Sequence, residues 1–170
     1  MNGGRSLSSE QLNVEEGTAR EERRERTTNQ VRHLIEERQE LLALFAQASG
    51  VAPGNPPGPD LDLIAEFCQV LVDYIAAGHF GLYHRIADGT ERRRLVADLA
   101  AQVFPRISET TQDALAFSEK YSGKQDRVDL AVFQRNLSRL GEILSTRFEL
   151  EDRLIEQLLD GAGAGKLQRR

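Results

Sequence analysis

The chain has no tryptophan, one methionine and a single cysteine, Cys68, in 170 residues. One thiol cannot close an intramolecular disulfide or supply a cysteine zinc site, so a disulfide-stapled secreted fold is excluded. Aromatic residues amount to 6%. No apolar run reaches the roughly 18 residues that mark a transmembrane helix. Met1 to Glu10 is polar and Ser/Gly-rich, without the apolar stretch of a signal peptide. An excess of positive charge is also missing: 22 Lys and Arg stand against 27 Asp and Glu, a formal net charge of −5. Non-specific binding of nucleic acid rests on a positive field, so direct contact with DNA or RNA is not expected. The chain reads as soluble, intracellular and cytoplasmic.

What is present is a supply of good helix formers, Leu, Ala, Glu and Arg, at helical spacing. Residues 1–26 carry six acids and five arginines and few apolar side chains. They are expected to form a flexible polar arm, or an extension of the first helix held by i,i+4 ion pairs. Residues 27–160 form the bundle domain, and 161–170, opening Gly161-Ala162-Gly163, a flexible tail. Thr27, Thr28 or Asn29 can cap a first helix with Val31, Leu34/Ile35, Leu41/Leu42 and Phe45 on its apolar face, ending near Ser49-Gly50. Four of the five prolines crowd into the Pro53–Pro59 loop, after which Asp60 caps a second helix. That helix carries Leu63/Ile64, Phe67, Val70/Leu71 and Tyr74/Ile75, then passes Ala76-Ala77-Gly78 toward Asp88-Gly89. A third begins after Thr90 and is interrupted or kinked at Pro105. After a turn at Tyr121-Ser122-Gly123-Lys124-Gln125, the last helix runs from Val128 to Leu158. No segment alternates with a period of two and no repeat is present. The expected fold is all-α: an antiparallel bundle of four main helices, one kinked or broken near Pro105.

Three polar residues interrupt apolar stripes: Arg38, His79 and Glu151. A charge on an inner face is costly unless paired and hydrogen-bonded, so the three are expected to meet in one cluster inside the bundle. Such a cluster fixes helix register, or alternatively binds a ligand. A bundle-core metal centre needs Glu-x-x-His pairs, and none of His33, His79 and His84 has an acid three residues before it. The His33/Glu37 spacing is common on solvated helices, and no metal or other cofactor is expected. Neither a phosphate-binding glycine loop nor a Gly-x-Ser-x-Gly elbow occurs, which leaves catalysis without residues to carry it. Cys68 reads as a small apolar core residue.

The run Phe67-Cys68-Gln69-Val70-Leu71-Val72-Asp73-Tyr74-Ile75-Ala76-Ala77-Gly78-His79-Phe80-Gly81-Leu82-Tyr83 is long and compositionally unusual. It resembles the signature of the Rsd/AlgQ family, the regulators of sigma D. A second block, Arg147-Phe148-Glu149-Leu150-Glu151-Asp152-Arg153-Leu154-Ile155, is similar to the family's Arg-Phe-x-Leu-Glu-Asp-x-Leu-Ile. Val31, Arg38, Leu41-Leu42 and Gly50 match its first helix more weakly. The resemblance covers about residues 28–160.

It implies a helical anti-sigma factor, not an enzyme. Such a protein binds region 4 of the primary sigma factor and keeps it from core RNA polymerase and −35 promoter DNA, favouring alternative sigma factors. The resemblance also implies sigma contact at Asp73, Ala76 and Phe80, which share a helical stripe at i, i+3 and i+7. Asp73 would supply charge and Phe80 an apolar anchor, although by itself Phe80 also fits a core position and Asp73 a solvated face. Two departures bear on this. Position 76 is Ala where the family usually has Ser, and Arg32-His33-Leu34 stands where relatives carry Asp-Arg-Trp. Residues 60–104 and 141–160 are rich in acids, so the second and last helices are expected to form an acidic side. Two alternatives stay open: a metabolic adaptor binding a phosphocarrier or an alarmone enzyme, and a small-molecule sensor using the Arg38/His79/Glu151 pocket.

Overall fold

A computed structural model describes residues 9–51, 60–87, 93–123 and 128–163. The Pro53–Pro59 loop, Asp88-Gly89, Lys124-Gln125 and residues 164–170 lie outside them. The elements are α1 (Ser9–Ala48), α2 (Leu61–Ala76), a π-helical segment (Ala77–Tyr83), the short α3 (His84–Ala87), α4 (Arg94–Tyr121) and α5 (Leu130–Gly163). No strand occurs among the described residues.

Side-chain contacts fix the directions. Phe45 of α1 meets Phe67 of α2, while Gln30, near the other end, accepts from Arg85 of α3, so α1 and α2 run antiparallel. The reversal recurs between α2 and α4 in the Phe67–Phe117 pair and, at the other end, the Tyr83–Phe104 pair. Asn136 bonded to Tyr121 and Arg147 to Thr111 do the same for α4 and α5. Gln134 donating to the Ala48 carbonyl and Arg38 to Asp152 close the ring between α5 and α1. The order around the bundle is α1, α2, α4, α5, an up-down-up-down arrangement whose inward stripes form one core. The expected acidic side of second and last helices does not form. α2 and α5 stand at opposite corners and meet only through long side chains in the interior.

Local chemistry explains most of the ends. Asp60 caps α2 by accepting from the Leu63 amide at 2.7 Å, and Asp129 does the same for α5 at Val132, 3.0 Å. Gly50, with φ +75°, ends α1 in a Schellman turn: its amide bonds Gln47 O while the Val51 amide bonds Ala46 O.

Two expectations change. Thr27 and Thr28 do not cap α1 but lie within it, their hydroxyls donating to the carbonyls of Arg23 and Arg24. Residues 9–26 are continuous with α1 and, from Asn13 on, expose almost every side chain. Of the two outcomes expected at Pro105, the break does not occur: α4 passes through it as one 28-residue element. Its ring lies on the exposed face, where solvent can take the hydrogen bond that the missing amide cannot make.

Candidate functional site

Arg38 and Glu151 meet in the interior, Arg38 Nη2 donating to Glu151 Oε2 at 2.9 Å. Arg38 Nη1 donates to Asp152 Oδ1 at 2.6 Å, at the solvent rim of the cluster. Glu151, with 0% exposure, also accepts from the hydroxyls of Tyr74 and Tyr83 and from Arg147 Nε at 2.8 Å. Arg147, equally buried, reaches α4 through Thr111 Oγ1 at 2.7 Å and Thr110 Oγ1 at 3.3 Å. One carboxylate thus receives side chains from α1, α2, the π-segment and α5, and Arg147 extends the network to α4.

The electrostatics follow from burial and charge. Desolvation, and after it the neighbouring Glu151 charge, push both Tyr74 and Tyr83 well above the ordinary tyrosine range, keeping them protonated donors. Burial opposes the Arg38 charge, but hydrogen bonding to Asp152 and Glu151 and the Tyr74 contact outweigh it. Burial likewise opposes the Arg147 charge, and its tyrosine and Glu151 neighbours outweigh it. Arg38 stands 4.7 Å from the Phe148 ring centre, and Arg147 stands 5.5 and 5.7 Å from those of Tyr74 and Tyr83. Both oxygens of Glu151 are bonded twice from within the protein. The cluster therefore ties α1, α2, the π-segment and α5 together through one carboxylate.

His79, the expected third member, lies outside the cluster. It is exposed, and its ring packs edge-on against Phe80 at 4.9 Å. The expectation assumed α spacing from Ile75 to Ile86, which puts residue 79 on the inner face. The segment widens instead into a π-helix, and the His84 amide bonds the His79 carbonyl, five residues back. Tyr83, one such turn after Gly78, is thereby brought inside. Tyr74, Tyr83, Arg147, Asp152, Thr110 and Thr111 are the members that the sequence reading missed. The tyrosines pass for apolar core residues there. Arg147 carries a readable signal, four residues before Glu151 and seven after Leu140.

Asp73, Ala76 and Phe80 share one surface. They line a shallow depression with Ala77 and Gly81, completed from α1 by His33 and Glu37. Phe80 is 71% exposed, so the core alternative does not apply to it. Asp73 is exposed and accepts from Gln69 Nε2 at 3.0 and 3.1 Å. The depression brings two carboxylates beside an exposed aromatic ring over a floor of small residues. His33 and Glu37 join it because α1 packs on α2, and their i,i+4 spacing alone does not point to this face. Among the described residues no three His, Cys, Asp or Glu side chains gather as a metal site. No described helix is long and apolar enough to cross a membrane. Cys68 is buried, and burial raises its thiol pKa against the lowering effect of Ser122 and Ser118.

A family profile described as regulator of RNA polymerase sigma(70) subunit, Rsd/AlgQ, matches residues 14–159. The chain belongs to the Rsd/AlgQ family. Among its Rsd/AlgQ relatives is a regulator of sigma D from Shigella dysenteriae serotype 1, 36% identical over 128 residues, covering 74% of this chain and 80% of the relative. Another, from Yersinia enterocolitica serotype O:8, is 33% identical over 135 residues, covering 76% and 80%. The regulator of sigma D from Escherichia coli O1:K1 is 36% identical over 128 residues, with 74% and 80% covered. No solved structure matches the chain. Leu34, in the Arg32-His33-Leu34 run, is 1% exposed and packs in the core. At the neighbouring position it is His33 that reaches the depression.

Proposed function

We propose that this chain is a non-enzymatic anti-sigma protein that binds the sigma(70) subunit through region 4, using the face around Phe80. The observation that carries the reading is the exposed Phe80 ring flanked by Asp73 and Glu37. An aromatic ring held out of the core is the kind of side chain that anchors an interface, and carboxylates beside it complement a basic partner. Region 4 of a primary sigma factor presents a basic helix-turn-helix that otherwise meets promoter phosphates. An acidic face with an apolar anchor competes for that surface, and a chain of net charge −5 has no general attraction to the DNA itself. Ala76, in place of the family's usual Ser, leaves the stripe without a hydroxyl but lets the partner approach closely. The working compartment under this reading is the bacterial cytoplasm, where polymerase and sigma factors meet.

The test is a titration of purified sigma region 4 with the full chain and its variants. D73A and F80A each weaken binding by roughly 1–2 kcal/mol, about tenfold. Parent-like affinity in both folded variants contradicts the assignment of this face.

A further inference from the structure

The run Ala77–Tyr83 is the one described stretch where the helix widens to π spacing, and it contains both the most deeply anchored and the most exposed aromatic of the region. Tyr83 is buried, stacked edge-on against Phe104 at 5.6 Å, and its hydroxyl donates to Glu151 Oε1. Gly78 sits directly over that ring: a Cβ there would stand 3.1 Å from Tyr83 Cε2 and 3.2 Å from its hydroxyl oxygen. A side chain at position 78 would therefore crowd the ring, which would have to give by a few tenths of an ångström. In a continuous α-helix residue 79 would follow Ile75 into the core. Here His79 and Phe80 are both outside, and Leu82 and Tyr83 are both inside. Wide turns of this kind cost hydrogen-bond geometry and persist where surrounding contacts enforce them. The contact that ties this one to the core is Tyr83 on Glu151, a carboxylate bonded in turn by Arg38 and Arg147.

We propose that Tyr83 is a positioning residue for partner binding: anchored on buried Glu151, it holds the π-turn open and so keeps Phe80 turned outward beside Asp73. Gly78 is the second requirement, because it leaves room for the Tyr83 ring. The inference rests on the reading of Phe80 as a sigma contact, and it adds that the buried network sets the affinity of the exposed face without touching the partner.

The test is a double-mutant cycle on the full chain, with affinity for purified sigma region 4 read by titration. Y83F weakens binding by about threefold to tenfold in the parent chain and has no further effect once F80A is present, the coupling expected of residues that act as a unit. Amide hydrogen exchange at His84, whose N–H bonds the His79 carbonyl, speeds up in Y83F while the α5 core keeps its protection. G78A, which crowds the ring from the other side, changes both readouts in the same direction. Y83F and F80A effects that simply add, or parent-like affinity in folded Y83F, overturn the inference and leave the contact assignment standing. F80A with no effect overturns the contact assignment, and the inference with it.

Discussion

At the scale of single residues, Glu151 is the point on which the interior depends. It is 0% exposed and accepts from Arg38, Tyr74, Tyr83 and Arg147. Removing one partner of a buried ion pair leaves the other charge without compensation, at a cost of about 3–5 kcal/mol. E151A is therefore expected to lose about that much stability in chemical denaturation, far more than a substitution on the exposed face. The tyrosines predict a pH dependence. Their folded pKa values lie above the ordinary value of 10.0, so this contribution to stability is complete below pH 10. It declines as pH rises past 10, because the unfolded chain then releases protons that the folded chain retains. Denaturation midpoints measured from pH 8 to 11 should fall at the alkaline end, and the fall should be shallower in Y74F. Arg38 and Glu151 are legible in the sequence because a charge interrupts an apolar stripe there. Tyr74 and Tyr83 are not, since a tyrosine inside a bundle looks the same whether or not its hydroxyl serves a carboxylate.

At the scale of elements, apolar spacing makes the four main helices visible, and Asp60 and Gly50 mark two of their ends. Pattern alone cannot show a change of helical pitch, so the π-turn and the outward rotation of His79 escape it. The length of α1 escapes too, because Thr27 and Thr28 suit a cap as well as they suit a helix interior bonded back to Arg23 and Arg24. Two substitutions probe the packing. A Cβ at Gly141 would stand 2.8 Å from Phe45 Cζ, and that ring is held against Phe67. G141A should destabilise by about 1 kcal/mol or more, the overpacking outweighing the helix propensity gained. P105A restores an amide on the exposed face of α4 and should raise stability by about 1–3 kcal/mol. Thermal melts of the two variants should shift in opposite directions.

At the scale of the whole molecule, charge totals by segment mislead because chain order is not spatial order. The acid-rich second and last helices sit at opposite corners, and the carboxylates beside Phe80 come from α1 and α2. An interface with charged groups at its edge should weaken as salt screens them, so affinity for sigma region 4 should fall between 50 and 500 mM salt, with D73A showing a shallower dependence. On the proposed function, this face occupies the surface of sigma that promoter DNA and core polymerase use. Displacement of DNA from sigma decides the matter. Sigma region 4 bound to labelled −35 element DNA is titrated with the full chain, and DNA release is followed by anisotropy. The parent chain should release the DNA completely, and F80A should need about ten times the concentration. DNA that stays bound at saturating protein, or release that is indifferent to F80A, would contradict it.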